Sequence, residues 1–141
     1  MLHGFVQLGP FLTTGFSRLY GTDAKQIHHP PDMAPAAVLN LAYPVTIGSE
    51  IIPVEFDVIE TMVSDIIKFA VKHSNRPPAQ EELSTRRAAV ISELKAAFEN
   101  AVDVYEFEFT YDLPQSLEWE FAYLFLGKEY SWVIHTDCVC L

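Results

Sequence analysis

The residues best placed to do chemistry lie near the C-terminus. Residues 118–126 read Glu-Trp-Glu-Phe-Ala-Tyr-Leu-Phe-Leu, and His135 and Asp137 follow in residues 129–140. Successive side chains leave opposite faces of a strand, so Glu118 and Glu120 share one face while Trp119, Phe121, Tyr123 and Phe125 share the other. A two-residue turn at Gly127-Lys128 pairs Phe125 with Tyr130, Tyr123 with Trp132 and Phe121 with Ile134 on the ring-bearing face. On the other face this register pairs Glu120 with His135 and Glu118 with Asp137. If the preceding turn closes Asp112 against Glu118, Thr110 meets Glu120. Four carboxylates, Asp112, Glu118, Glu120 and Asp137, then surround one imidazole.

Directly opposed carboxylates repel by about 0.2–1 kcal/mol when exposed. Water and salt can screen that repulsion on a solvated face. A divalent cation can also offset it. Carboxylates with one imidazole suit Mg²⁺ or Mn²⁺, with Asp112, Glu118, His135 and Asp137 as ligands. Glu120 then stands as the base of a metal-dependent hydrolase. A basic partner surface offsets the charge equally well.

Other signals are weaker. Residues 9–18, Gly-Pro-Phe-Leu-Thr-Thr-Gly-Phe-Ser-Arg, mix glycines, hydroxyls and one Arg without the spacing or Lys of a P-loop. They read as turn chemistry, with Ser17 and Arg18 as candidates for holding a small anion. His28-His29 reads as exposed loop, and His73 as the end of an apolar helical stripe. Neither Ser17 nor Ser131 sits in a nucleophile elbow. Cys138 and Cys140 lie one residue apart with no basic neighbour to activate a thiolate, and they form no disulfide framework. The last four residues fit a prenylation box formally, but no polybasic stretch precedes them.

The elements that must position these residues follow from periodicity. Residues 4–8 and 11–19 read as short strands around Gly9-Pro10, and the prolines of 21–35 predict an ordered loop. Residues 37–47 and 50–58 read as a hairpin through Gly48-Ser49, with Tyr43 opposite Val54 and Pro44 opposite Pro53. Residues 59–73 carry a helical stripe of Met62, Val63, Ile66, Phe69, Ala70 and His73. A second helix runs from Pro77 or Pro78 to about Asn100, its stripe being Leu83, Val90, Leu94, Ala97 and Phe98. A four-residue break makes the two antiparallel. Residues 102–111 alternate again, with Tyr105, Phe107, Phe109 and Tyr111 against Glu106, Glu108 and Thr110. The expectation is one α+β domain over residues 1–141: a mainly antiparallel sheet in the order β-β-β-β-α-α-β-β-β, with the helical hairpin covering its aromatic face.

Charge bounds the function. The 141 residues carry a net charge of −10, against sequence-general binding to nucleic-acid backbones. Residues 101–141 hold eight acids against Lys128 alone. With no catalytic motif, the sequence points to an acidic, non-enzymatic interaction module. The expected role is an inhibitor or antidote docking through Glu106, Glu108, Glu118 and Glu120 on the basic surface of a nucleic-acid-handling enzyme. The alternatives are the Mg²⁺- or Mn²⁺-dependent hydrolase and a small anionic-ligand-binding module using Ser17 and Arg18. Apolar Ile51, Leu124, Leu126, Val133 and Val139 on the acid-bearing face suggest a homodimer or partner contact. The first residues lack the basic and apolar regions of a secretion signal, and no apolar run is long enough to span a bilayer, so a cytoplasmic protein without direct membrane or nucleic-acid contact is expected.

Overall fold

The computed structural model describes residues 2–13, 18–43, 50–109 and 117–140. The α+β class, the antiparallel sheet and the central helical hairpin are as the sequence implies. In chain order the elements are α1 (His3–Leu12), β1 (Arg18–His28), α2 (Pro35–Ala42), β2 (Ile52–Pro53), α3 (Phe56–Lys72), α4 (Gln80–Asn100), β3 (Asp103–Phe107), β4 (Leu117–Leu126) and β5 (Tyr130–Cys140). The sheet order is β1-β5-β4-β3-β2, with every pair antiparallel.

The first 58 residues differ most from expectation. Residues 3–12 form a helix, because Leu2, Phe5, Leu8 and Leu12 recur at helical spacing and are buried together. Gly9-Pro10 is no turn but the point where α1 touches β1. Pro10 has no N–H, so the Val6 carbonyl loses its usual helical donor. The Thr22 hydroxyl donates to that carbonyl at 3.0 Å and accepts the Gly9 N–H at 2.8 Å. The Thr13 hydroxyl accepts the Tyr20 N–H at 3.1 Å, so the helix end covers the backbone of β1 there. A Cβ on Gly9 would stand 2.7 Å from both the Tyr20 carbonyl and the Thr22 hydroxyl, which explains the glycine.

β1 runs on to His28, shortening the expected 21–35 loop to 29–34. The expected hairpin is absent where it can be seen. Residues 35–42 are helical, with Pro35 in the first turn and adjacent Val38 and Leu39 both fully buried. Residues 52–53 pair with β3 instead: Ile52 opposes Glu106 and Pro53 opposes Tyr105. A proline suits such an outermost strand, where no ladder bond is lost. Pro44, Gly48 and Ser49 lie outside the described residues.

α3 and α4 match their expected stripes. Ile59, Met62, Val63, Ile66 and Ala70 are buried on one, Leu83, Val90 and Leu94 on the other. The Phe56 and Phe98 rings meet at 5.5 Å, placing the start of α3 against the end of α4. With α1 these helices cover Val104, Tyr123, Phe125, Ile134 and Cys138 on one sheet face. Arg86 sits 3.8 Å over the Phe11 ring, and the Glu93 carboxylate takes the Gly4 and Phe5 amides at 2.9 Å each, clipping α1 to α4.

The opposite face is also covered. Val38 and Leu39 of α2 pack with Ile27, Phe107, Ala122, Leu124, Leu126 and Val133 in a second core. Leu124 and Val133 are therefore not a solvent-facing dimer patch; α2 buries them within the chain. No helix among the described residues is long and apolar enough to cross a membrane.

Candidate functional site

Three strands converge on the acidic site. Phe125 faces Trp132, Tyr123 faces Ile134 and Glu120 faces Asp137 across β4 and β5. This register is two positions from the expected one, because residues 127–129 form a longer connection than two residues. An even offset keeps every side chain on its expected face. Glu120 and His135 therefore remain neighbours, now diagonally: Glu120 Oε2 lies 2.8 Å from His135 Nε2. The same nitrogen stands 4.0 Å from an Asp137 oxygen.

Glu118 leaves the cluster. A bulge between Leu117 and Trp119 breaks the ladder, and the Glu118 carboxylate reaches Arg18 on the face covered by α3. Arg18 Nε and Nη2 donate to its two oxygens at 2.8 and 3.1 Å. The guanidinium also lies 5.6 Å from the Phe69 ring centre. Arg18 holds the Glu118 carboxyl below its ordinary range, and the Arg18 pKa rises in return. A small anion at Arg18 would have to displace Glu118. Ser17 and Asp112 lie outside the described residues.

The strand order adds what sequence reasoning missed. β1 lies beside β5 and sets Asp23 opposite His135 and Gly21 opposite Asp137. The Gly21 N–H bonds the Asp137 carboxylate, and a Cβ at Gly21 would collide with that carboxylate at 2.5 Å. Burial raises the Asp137 pKa; Glu120 and Asp23 add to the rise, while His135 and the Gly21 amide oppose it. The Phe109 ring meets His135 edge-on at 5.4 Å and Tyr43 at 4.9 Å, walling the cluster on one side. One ligand atom from each of Glu120, His135 and Asp137 falls within 4.8 Å of the others. That trio can hold a divalent cation by its donor types.

The expected docking carboxylates do not share one face. Tyr105 pairs with Leu124 and Glu106 with Tyr123. This is one position from the pairing that would follow from Asp112 opposite Glu118, and a single-residue slip reverses every side chain. Tyr105 and Phe107 thus join the α2 core, and Glu106 points to the α3–α4 face, away from Glu120. At the sheet margin Glu106 and Glu108 instead meet Glu50 around a groove of about 290 Å³ that includes Ile52 and Phe107.

His29, expected in an exposed loop, is buried. Its Nδ1 lies 2.8 Å from the Pro30 carbonyl, which can only accept, so in the neutral ring Nδ1 carries the proton. Nε2 then accepts the Ser131 hydroxyl at 2.7 Å, and Ser131 Oγ accepts the Gly127 N–H at 3.0 Å. The His29 N–H bonds the Glu129 carbonyl. His73 is exposed and stacks on Phe69 at 4.4 Å. Burial, then the Glu118 carboxylate 3.6 Å away, push the Cys138 thiol up to about 12.

No protein-family model matches the chain, and no curated protein sequence matches it significantly. Among solved structures the fold is similar to that of citrus MAF1. The crystal structure in space group P 31 2 1 aligns with a TM-score of 0.61 at 10% identity, covering 98% of this chain and 99% of that one. The C 2 2 21 crystal form gives 0.58 at 10% identity, covering 96% and 98%. At that identity the likeness shows the fold alone: helices and antiparallel strands arranged as in citrus MAF1.

Proposed function

We propose that this chain is an acidic, non-enzymatic interaction module that docks on a basic protein surface, as an inhibitor or antidote of a nucleic-acid-handling enzyme. The observation that carries this reading is the groove beside β2 and β3. Glu50, Glu106 and Glu108 line it together with Phe107 and with Ile52, which is 49% exposed. An apolar side chain among polar ones is the anatomy of a protein interface. The net charge of −10 adds attraction at a distance. Glu106 and Glu108 belong to this docking set, while Glu118 and Glu120 are committed to Arg18 and His135.

Affinity capture at low salt with quantitative mass spectrometry tests the reading. The wild type should retain a basic, nucleic-acid-handling protein, and raised salt should release it. Glu106→Lys with Glu108→Lys should lose it while the circular dichroism stays unchanged, and Glu120→Gln should keep it. A partner held equally well by the charge-reversed chain overturns the reading.

A second reading is a Mg²⁺- or Mn²⁺-dependent hydrolase. The convergence of Glu120, His135 and Asp137 within 4.8 Å favours it. Glu120 then serves as a ligand in place of Glu118. It requires either ion to raise the melting temperature by linkage, and His135→Ala to abolish the rise. A flat response to both ions removes it.

A further inference from the structure

The second core fills only one end of the sheet face beneath α2. Along β5, Ser131 and Val133 are buried, whereas His135, Asp137 and Val139 on the same face are partly open. Along β1, Ile27 is buried while Lys25, Asp23 and Leu19 are exposed. The stretch of β5 from Val133 to Val139 spans about 20 Å, and a helix with its side chains is about 10–12 Å across. α2 over Val133 therefore leaves room for another element at the Val139 end.

That open end has a definite pattern. Leu19 pairs directly with Val139, and Val139 with Leu117. Directly opposed side chains share a face, so the three form an apolar row across β1, β5 and β4. Leu19 is 48% exposed. Between this row and α2 lie the carboxylates of Asp23, Asp137 and Glu120. The nearby cations are turned elsewhere. Arg18 holds Glu118 over the opposite face. Lys25 Nζ lies 3.5 Å from the Ala42 carbonyl and 5.1 Å from the Tyr43 ring centre, at the end of α2. Glu120 and Asp23 add to the burial that raises the Asp137 pKa, so a cation brought from outside would relieve their mutual repulsion.

We propose that this end of the sheet seats a basic amphipathic helix of another protein, its apolar side chains on Leu19, Val139 and Leu117 and its Lys or Arg side chains against Asp23 and Asp137. Lying beside α2, that helix completes the second layer of the face. The net charge of −10 on each chain repels a second copy from the same place. The surface is separate from the groove beside β2 and β3, whose Glu106 points to the opposite face.

Two synthetic peptides test the proposal, one with Leu along one helical face and Lys along the other, one with Glu in place of Lys. Each is titrated into the full chain at pH 7.5, with binding read by fluorescence anisotropy and the contact mapped by amide NMR shifts. The Leu/Lys peptide should bind saturably, shift Leu19 and Val139, and weaken as salt rises; the Leu/Glu peptide should not bind. Leu19→Asp and Asp23→Lys, both at exposed positions, should each weaken the Leu/Lys peptide about tenfold or more. Glu106→Lys with Glu108→Lys should leave its affinity within about twofold, since exposed charges at that distance are screened. No saturable binding, or binding indifferent to Leu19→Asp, overturns the proposal. Loss with the Glu106 and Glu108 pair alone places the peptide in the groove, which overturns this surface and leaves the reading above standing. Sedimentation of the chain alone completes the test: a dimer that Leu19→Asp dissociates puts a second copy on this face and also overturns the proposal.

Discussion

Glu93, two-thirds of the way along the chain, caps the N-terminus of α1, with one carboxylate oxygen 2.9 Å from the Gly4 amide and the other 2.9 Å from the Phe5 amide. These amides are donors that a helix leaves without internal partners, and they sit at its positive end. Glu93→Ala should therefore lower stability by about 2 kcal/mol, and Glu93→Gln by about half as much, since one acceptor remains. Urea unfolding measures both, and an effect below about 0.5 kcal/mol for the alanine variant would show that the cap contributes little.

Thr22 satisfies two backbone groups of α1 with one hydroxyl. Thr22→Val keeps the shape and strands both groups, at a cost of about 2 kcal/mol. Thr22→Ser should recover most of that. Gly9→Ala should be worse than either, because the added carbon meets backbone and has no flexible neighbour to move. The order of the three melting temperatures is the check.

The second core beneath α2 is tested by Leu39→Ala and Leu124→Ala. Both side chains are fully buried, so each variant should lose about 2–5 kcal/mol. Were this face open to solvent, both would stay within about 0.5 kcal/mol of the wild type.

Asp137 and Glu118 should show opposite pH signatures. The folded-state pKa of Asp137 is raised, so ionising it weakens the fold as pH rises through that value. Asp137→Asn should therefore stabilise the protein near neutral pH by up to about 1 kcal/mol, with the gain vanishing in acid. The folded-state pKa of Glu118 is lowered by Arg18. Its contribution is present above the ordinary carboxylate range and disappears as pH falls through the folded value. Glu118→Gln should thus destabilise at neutral pH and make no difference in strong acid. Chemical denaturation at a series of pH values separates the two.

Cysteine labelling reports the closing strand. Cys138 is fully buried with its thiol pushed up to about 12, while Cys140 is exposed. Iodoacetamide at pH 8 should add one label per native chain, at Cys140, and two after unfolding.

Periodicity made much of this architecture legible. α3, α4 and the C-terminal strands announce themselves because their stripes are long and their buried faces uniform. α1 was hidden by Gly9-Pro10, which normally punctuates a turn and here serves a helix lying close against a strand. α2 was hidden because Pro35 reads as the end of the preceding loop and residues 37–47 fit a strand as well as a short helix buried on one side. The Glu120–His135–Asp137 cluster survived a register error because that error was even. Glu106 was misplaced by an odd one. Glu118 was misplaced by a bulge that no pattern in residues 117–119 announces. Asp23 and Gly21 could not be assigned to the cluster, since nothing in the sequence says that the first strand lies beside the last.

The hydrogen-bond chain from Gly127 through Ser131 to His29 fastens the β4–β5 connection to the far end of β1. Two segments far apart in sequence are therefore tied at one corner, and that corner should open only as a unit. Ser131→Ala removes the shared hydroxyl, so the Gly127 and His29 groups lose their common partner and the amides of the connection should exchange with solvent faster while the sheet stays intact.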